Sequence, residues 1–83
     1  MIFVETGIEG GYVVDVQPHV DDRGAFARSF CGREFEEHGL NPTVAQCNVS
    51  TNRLKGTLRG LHSQKPPHEE DKLVRCTKGA IYD

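Results

Sequence analysis

The sequence predicts an all-β fold with one short helix. Segments rich in β-branched and aromatic residues recur along the chain, as in Tyr12 to Val16, and this composition is typical of strands. Glycine, proline, asparagine and aspartate separate these segments and indicate turns. One segment, from about Arg33 to Gly39, combines acidic residues, an aromatic and a terminal glycine, which favours a helix. We therefore expect a single domain over residues 1–83.

Length and composition exclude several classes of protein. At 83 residues the chain forms one domain at most, and such a domain buries only about 60% of its unfolded surface. A hydrophobic content of 36%, a charged content of 27% and a net charge of −2 describe a globular chain rather than a polybasic nucleic-acid binder. No apolar run approaches the roughly 20 residues of a membrane span, and the N-terminus lacks a signal-peptide pattern. We expect a cytoplasmic protein that binds neither nucleic acid nor membrane.

The cysteines do not indicate a disulfide framework or a zinc site. The chain has an odd number of cysteines, and no two of them form a CxxC motif. They are Cys31, Cys47 and Cys76. We expect small, buried or half-buried thiols.

The N-terminal segments predict strands and turns. Met1 to Val4 is a short apolar start, and Glu5 to Gly11 contains three glycines, which indicates a loop. Gln17-Pro18 should end the strand that begins at Tyr12. Asp21 to Gly24 has turn chemistry, and Ala25 to Phe30 alternates like a second strand.

The middle of the chain predicts the helix and a further strand. His38 lies near the helix C-terminus, where a surface residue can complement the helix dipole. Thr43 to Ser50 alternates as a strand, and one of its faces carries the amides Gln46 and Asn48. Amides need partners when buried, so this face is either wet or binds something polar.

The segment Gly56 to Gln64 is the predicted central strand. Alternation places His62 on one face and Arg59 on the other. If both act on one ligand, the strand must kink, and Gly60 between them would permit this. Without a kink, Arg59 is a surface ion-pair partner. After a loop with Pro66-Pro67, further strands are predicted at Lys72 to Cys76 and from Ala80 to the end.

Arg59, His62 and Lys72 together supply the chemistry for proton abstraction next to a carbonyl. An Arg holds phosphate by bidentate hydrogen bonds, a His moves a proton near neutral pH, and a Lys stabilises a developing oxyanion. The structural alternatives are a satisfied core histidine and two cations that discourage pairing at a sheet edge.

Four ordered blocks resemble the N-terminal half of the dTDP-4-dehydrorhamnose 3,5-epimerase family, which is of the cupin type. The resemblance covers nearly all of this sequence but only about the first half of a family member, so the chain is expected to be a truncated cupin-like domain. It implies a partial cupin jelly roll. The blocks are Asp21 to Phe26, Gln46 to Ser50, Gly56 to His62, and Lys72 to Arg75 followed by Gly79-Ala80-Ile81.

The resemblance implies a role for each matched residue. His62 would be the general base that removes the sugar protons at C3 and C5, which the C4 carbonyl acidifies. Lys72 would stabilise the enolate oxygen. The implied substrate, a dTDP-linked 4-keto-6-deoxy sugar, would be bound by Arg23, Phe26, Gln46, Asn48 and Arg59.

Some positions depart from the family pattern. Arg28 stands where the family often has Glu, and neither Tyr12 nor Tyr82 lies in the motif of the tyrosine that returns the proton. No cofactor is implied. Many cupins bind metal through a His-x-His pair, but here Ser63-Gln64 follows His62, so no metal is expected.

Two functions remain open from the sequence. The first is a nucleotide-sugar 3,5-epimerase, inactive or incomplete as this 83-residue chain. The alternative is a non-catalytic nucleotide-sugar-binding or structural module derived from that family. Half a jelly roll leaves a sheet face uncovered, and the family exchanges N-terminal strands between subunits, so we expect a homodimer or larger assembly.

Overall fold

The structure is a computed structural model that describes all 83 residues. The chain divides into two compact units, Met1–Asn48 and Val49–Asp83. Regular secondary structure lies in the first unit and consists of four strands and one helix, which confirms the predicted all-β class with a short helix. These are β1 (Ile2–Glu5), β2 (Tyr12–Asp15), β3 (His19–Asp21), β4 (Gly24–Phe26) and α1 (Gly32–Glu37). With six residues, α1 is too short to cross a membrane, and no longer helix exists.

Strands β1 and β2 form an antiparallel hairpin, in which Phe3 lies opposite Val14. The predicted loop between them is confirmed. The Thr6 hydroxyl donates to the Gly11 carbonyl at 3.0 Å and accepts a hydrogen bond from the Ile8 amide at 3.1 Å. Gly10 has a φ of +75°, a conformation that favours glycine. The side-chain and backbone bonds of this loop therefore fix the hairpin register.

Strands β3 and β4 form a second, shorter antiparallel hairpin, with Asp21 opposite Gly24. The predicted turn lies between them. The sequence did not predict β3, because three residues after Pro18 are too few to show an alternation. Strand β4 ends at Phe26 rather than at Phe30, since its partner β3 has only three residues with which to pair.

The core of the first unit is aromatic and small. Phe35, on α1, is the only buried hydrophobic side chain, with 7% of its surface exposed. Its ring lies 4.8 Å from that of Phe30 and 5.6 Å from that of Phe3. Exposed His38 follows α1, as expected, and its ring stacks on Phe3 at 3.9 Å. Aromatic contacts thus join the helix to the first hairpin.

Charged groups join the same two elements. The N-terminal ammonium of Met1 donates to Glu34 Oε1 and to Gln17 Oε1, each at 3.1 Å. The second oxygen of Glu34 accepts from Arg28 Nη1 at 3.3 Å. The hydrogen bond from the ammonium is the main cause that lowers the pKa of Glu34. These bonds link β1, the chain after β4, and α1.

The strands predicted after residue 42 are absent, which corrects that part of the prediction. The segments concerned are Thr43 to Ser50, Gly56 to Gln64, Lys72 to Cys76 and Ala80 to Asp83. A strand needs a neighbour for its backbone N–H and C=O groups. Within residues 43–83 the single backbone-to-backbone hydrogen bond joins His68 N to Lys65 O at 2.8 Å, so no segment here has a pairing partner.

The three thiols are free, and their exposure differs from the prediction. Cys31 is half-buried, as expected, but Cys47 and Cys76 are exposed. The expectation fails for these two because they lie in segments that form no sheet and therefore no covered face.

Candidate functional site

The loop between His62 and Lys72 is the main feature of the second unit. The turn that His68 N and Lys65 O close allows the two arms of the loop to face one hollow of about 300 Å³. The hollow therefore contains both the residue predicted as a base and the residue predicted as an oxyanion stabiliser. Its lining residues are His62, Ser63 and Gln64 from one arm and Glu69, Glu70 and Lys72 from the other.

The hollow is polar and open. It combines an imidazole, an ammonium, two carboxylates and an amide, and every lining residue is exposed. In water such charges interact weakly, by about 1 kcal/mol at 4 Å. Electrostatic support for a reaction here therefore depends on a bound ligand or neighbouring surface that excludes water.

Arg59 lies in the same unit but does not line this hollow. Its Nε donates to Asn52 Oδ1 at 2.5 Å, and its Nη2 donates to the Thr51 carbonyl at 3.3 Å. Both acceptors are uncharged, so Arg59 forms no ion pair, which was the alternative for a strand without a kink. Gly60 has a φ of +126°, so the backbone leaves extended geometry at the residue the sequence singled out.

Arg23 and Phe26 belong to the second hairpin of the first unit. The Arg23 guanidinium bonds to Asp21, with Nε to Oδ2 at 3.1 Å and Nη2 to the same oxygen at 2.5 Å. This contact lowers the pKa of Asp21 and raises that of Arg23. The Arg23 side chain is 90% exposed, and Phe26 is exposed as well. A ligand that binds Arg23 must share it with Asp21.

Gln46 and Asn48 are exposed at the end of the first unit. Because both amides are exposed, they need no partner within the chain, and both alternatives that the sequence left open remain. Arg28, which departs from the family pattern, is bonded to Glu34 and so contributes to helix attachment.

Sequence reasoning did not identify five residues at these sites. Ser63, Gln64, Glu69 and Glu70 line the hollow, and Asn52 holds Arg59. Gln64 is two residues after His62, so strand alternation places both on one face, and this pattern could have indicated Gln64. Nothing in the polar loop distinguished Asn52. No three His, Cys, Asp or Glu side chains of the chain are gathered as a metal site requires.

Comparisons with known proteins agree on one family. The family model described as dTDP-4-dehydrorhamnose 3,5-epimerase matches residues 5–83. The chain is 40% identical to the protein of that name from Escherichia coli K12, over 100% of this chain and 45% of the relative. It is 36% identical to that of Methanothermobacter thermautotrophicus, over 98% of this chain and 43% of the relative. The identity to the protein of that name from Streptomyces griseus is 35%, over 92% of this chain and 38% of the relative.

The chain thus spans less than half the length of these relatives. No solved structure matches it. The family match covers residues 5–83, and the identities extend over nearly the whole sequence. The chain therefore belongs to the dTDP-4-dehydrorhamnose 3,5-epimerase family.

Proposed function

We propose that this chain is the part of a dTDP-4-dehydrorhamnose 3,5-epimerase that carries the catalytic base, and that its substrate is a dTDP-linked 4-keto-6-deoxy sugar. The observation that carries the proposal is the hollow that His62 and Lys72 line together. A base and a cation must both reach one sugar ring for this reaction. The loop supplies both from its two arms, and His62 and Lys72 are only ten residues apart in sequence.

The chemistry follows from these two side chains. A neutral ring nitrogen of His62 takes the proton from C3 or C5, and the electrons of the broken C–H bond move into the ring toward the C4 carbonyl. The carbonyl oxygen becomes an enolate, and the ammonium of Lys72 stabilises its charge. Return of a proton to the opposite face of the same carbon completes one inversion.

The other site residues bind the substrate. Arg59 contacts the diphosphate, since a guanidinium matches two phosphate oxygens. Arg23 and Phe26 contact the nucleotide, and the exposed amides of Gln46 and Asn48 hydrogen-bond to polar groups of the substrate.

The complete fold in this proposal is a cupin jelly roll. The segments predicted as strands after residue 42 alternate like strands in sequence but lack pairing partners in the structure. Pairing partners would convert them into strands, and association in a homodimer is one source of such partners.

The chain is expected to remove the proton but not to complete the epimerisation. Tyr12 packs on the ring of Phe3, with ring centroids 6.0 Å apart, and Tyr82 lies outside the family motif of the acid. Proton exchange requires only a base and a stabilised enolate, whereas inversion also requires an acid on the other face. We expect no epimerised product, with at most slow deuterium uptake at C3.

An exchange experiment tests this proposal. The chain is incubated in D2O with dTDP-4-keto-6-deoxyglucose, and the recovered sugar is analysed by NMR. Uptake above the protein-free rate should disappear in His62→Ala and persist in His68→Ala, which removes a histidine from the same loop but not from the hollow. Exchange that survives in His62→Ala would remove His62 from this role, and efficient epimerisation would disprove the need for a separate acid.

Binding is measured separately by calorimetry with dTDP. Arg59→Ala should weaken binding by about 1.5 to 3 kcal/mol, the range for hydrogen bonds to charged groups. Equal affinity of the two proteins would exclude a contact between Arg59 and the diphosphate. The alternative function, a non-catalytic binding module, predicts this loss of affinity but no deuterium uptake. The relatives' shared name favours the epimerase.

A further inference from the structure

The Arg59 side chain is held on one edge only. Its Nε and Nη2 donate to Asn52 Oδ1 and the Thr51 carbonyl. A guanidinium has five N–H donors, so both Nη1 hydrogens and one Nη2 hydrogen remain. The Nη2 hydrogen and one of the Nη1 hydrogens lie on the Nη1/Nη2 edge, with which Arg forms paired hydrogen bonds to phosphate oxygens. The second Nη1 hydrogen points away from that edge.

A hydrogen bond within the loop that carries Asn52 helps to fix the shape of this loop. The Thr57 hydroxyl donates to the Leu54 carbonyl at 2.8 Å, and Gly56 has a φ of +77°, which reverses the chain between them. This reversal returns Arg59 to Asn52, seven residues earlier. The loop therefore has its own means of fixing the guanidinium plane.

We propose that Asn52 is a positioning residue that orients Arg59 so that its free Nη edge faces the diphosphate of the substrate. This inference rests on the proposed function, in which Arg59 contacts that diphosphate. A long Arg side chain loses much rotamer freedom on binding, and a preset orientation removes part of that cost. The neutral amide is suited to the task because it accepts from Nε without cancelling the positive charge.

Calorimetry in four backgrounds tests the inference. Asn52→Ala should weaken dTDP binding by about two- to tenfold, the effect of losing one ordinary hydrogen bond. In an Arg59→Ala background the same substitution should have no effect, because the residue it positions is gone. Thymidine, which lacks the diphosphate, should bind Asn52→Ala and the native chain equally.

A direct readout follows the hydrogen bond itself. The Arg59 Nε–H signal in 15N NMR spectra should exchange slowly in the native chain and rapidly in Asn52→Ala. Asn52→Asp keeps an acceptor oxygen and should restore the slow signal, while its added negative charge still weakens dTDP binding. Arg53→Ala is the matched control for charge in the same loop, and should leave the Arg59 signal unchanged.

Each contrary result has a separate meaning. Equal losses from Asn52→Ala with and without Arg59 would overturn the positioning role. If Arg59→Ala weakens binding and Asn52→Ala does not, the inference about Asn52 fails and the proposed function stands. If the native chain does not bind dTDP, or if Arg59→Ala binds dTDP as tightly as the native chain does, Arg59 does not contact the diphosphate. The inference about Asn52 then fails as well.

Discussion

Replacement of Phe35 by alanine should unfold much of the first unit. Burial of a Phe side chain contributes about 1.5 to 3 kcal/mol, and each of its aromatic pairs, with Phe3 and Phe30, adds about 0.5 to 1.5 kcal/mol. Because the neighbouring rings lie near the surface and can close the gap, we expect a net loss of about 2 to 4 kcal/mol. A unit that spans residues 1–48 has a total stability of only about 2 to 7 kcal/mol at typical values per residue.

Urea titration followed by NMR measures this effect. The signals of Phe3 and His38 report the folded state, because the two rings stack. Phe26→Ala is the matched control: the same atoms are removed from a side chain that is 78% exposed, and the expected change is within about 0.5 kcal/mol. If Phe35→Ala unfolds at the same urea concentration as Phe26→Ala, the aromatic cluster does not hold the unit together.

Three further predictions concern stability and assembly. Gly10→Ala should destabilise the first hairpin by about 1 to 2 kcal/mol through its positive φ alone, since an added Cβ meets no atom within 4 Å. Gly7→Ala is the control, because a Cβ there also has no atom within 4 Å and Gly7 has no positive φ. It should lower the stability of the hairpin far less than Gly10→Ala. Equal losses of stability in thermal unfolding would show that the positive φ of Gly10 is not the cause. The lowered pKa of Glu34 means that its carboxylate stabilises the folded state. This stabilisation is fully present when the pH is above the ordinary Glu pKa of about 4.3, and it is lost as the pH falls through the lowered pKa of the folded state. The stability of Glu34→Gln, measured as a function of pH, should not show this loss. If its pH profile matches that of the native chain, Glu34 does not make this contribution. Sedimentation at micromolar concentration should show a dimer or larger species, and a folded monomer would disprove self-association.

Local signals explain the parts of the fold that the sequence predicted. The β-branched run at Tyr12, the turn at Asp22-Arg23 and the acidic segment before Gly39 each act over a few residues, and each lies within a few residues of its predicted place. Alternation also predicted strands after residue 42, but alternation describes two faces and supplies no hydrogen-bonding partner. Those segments therefore have strand-like sequences without strand pairing.

The candidate site was predictable only through resemblance. Spacing alone places Arg59 and His62 on opposite faces, and nothing in it brings His62 to Lys72 across a loop with Pro66-Pro67 at its tip. The arrangement depends on how that loop folds, which the sequence pattern does not encode. The interaction between Arg59 and Asn52 was equally hidden, because it follows from a chain reversal at Gly56.

The exposed apolar side chains of the second unit have a thermodynamic consequence. Leu58, Leu61 and Tyr82 are between 89% and 107% exposed. Whatever surface covers them will bind with a negative heat-capacity change, because apolar area leaves water. Apolar association of this kind weakens on cooling. An assembly formed through these residues should therefore be tighter at 25 °C than in the cold, opposite to one held by polar contacts alone.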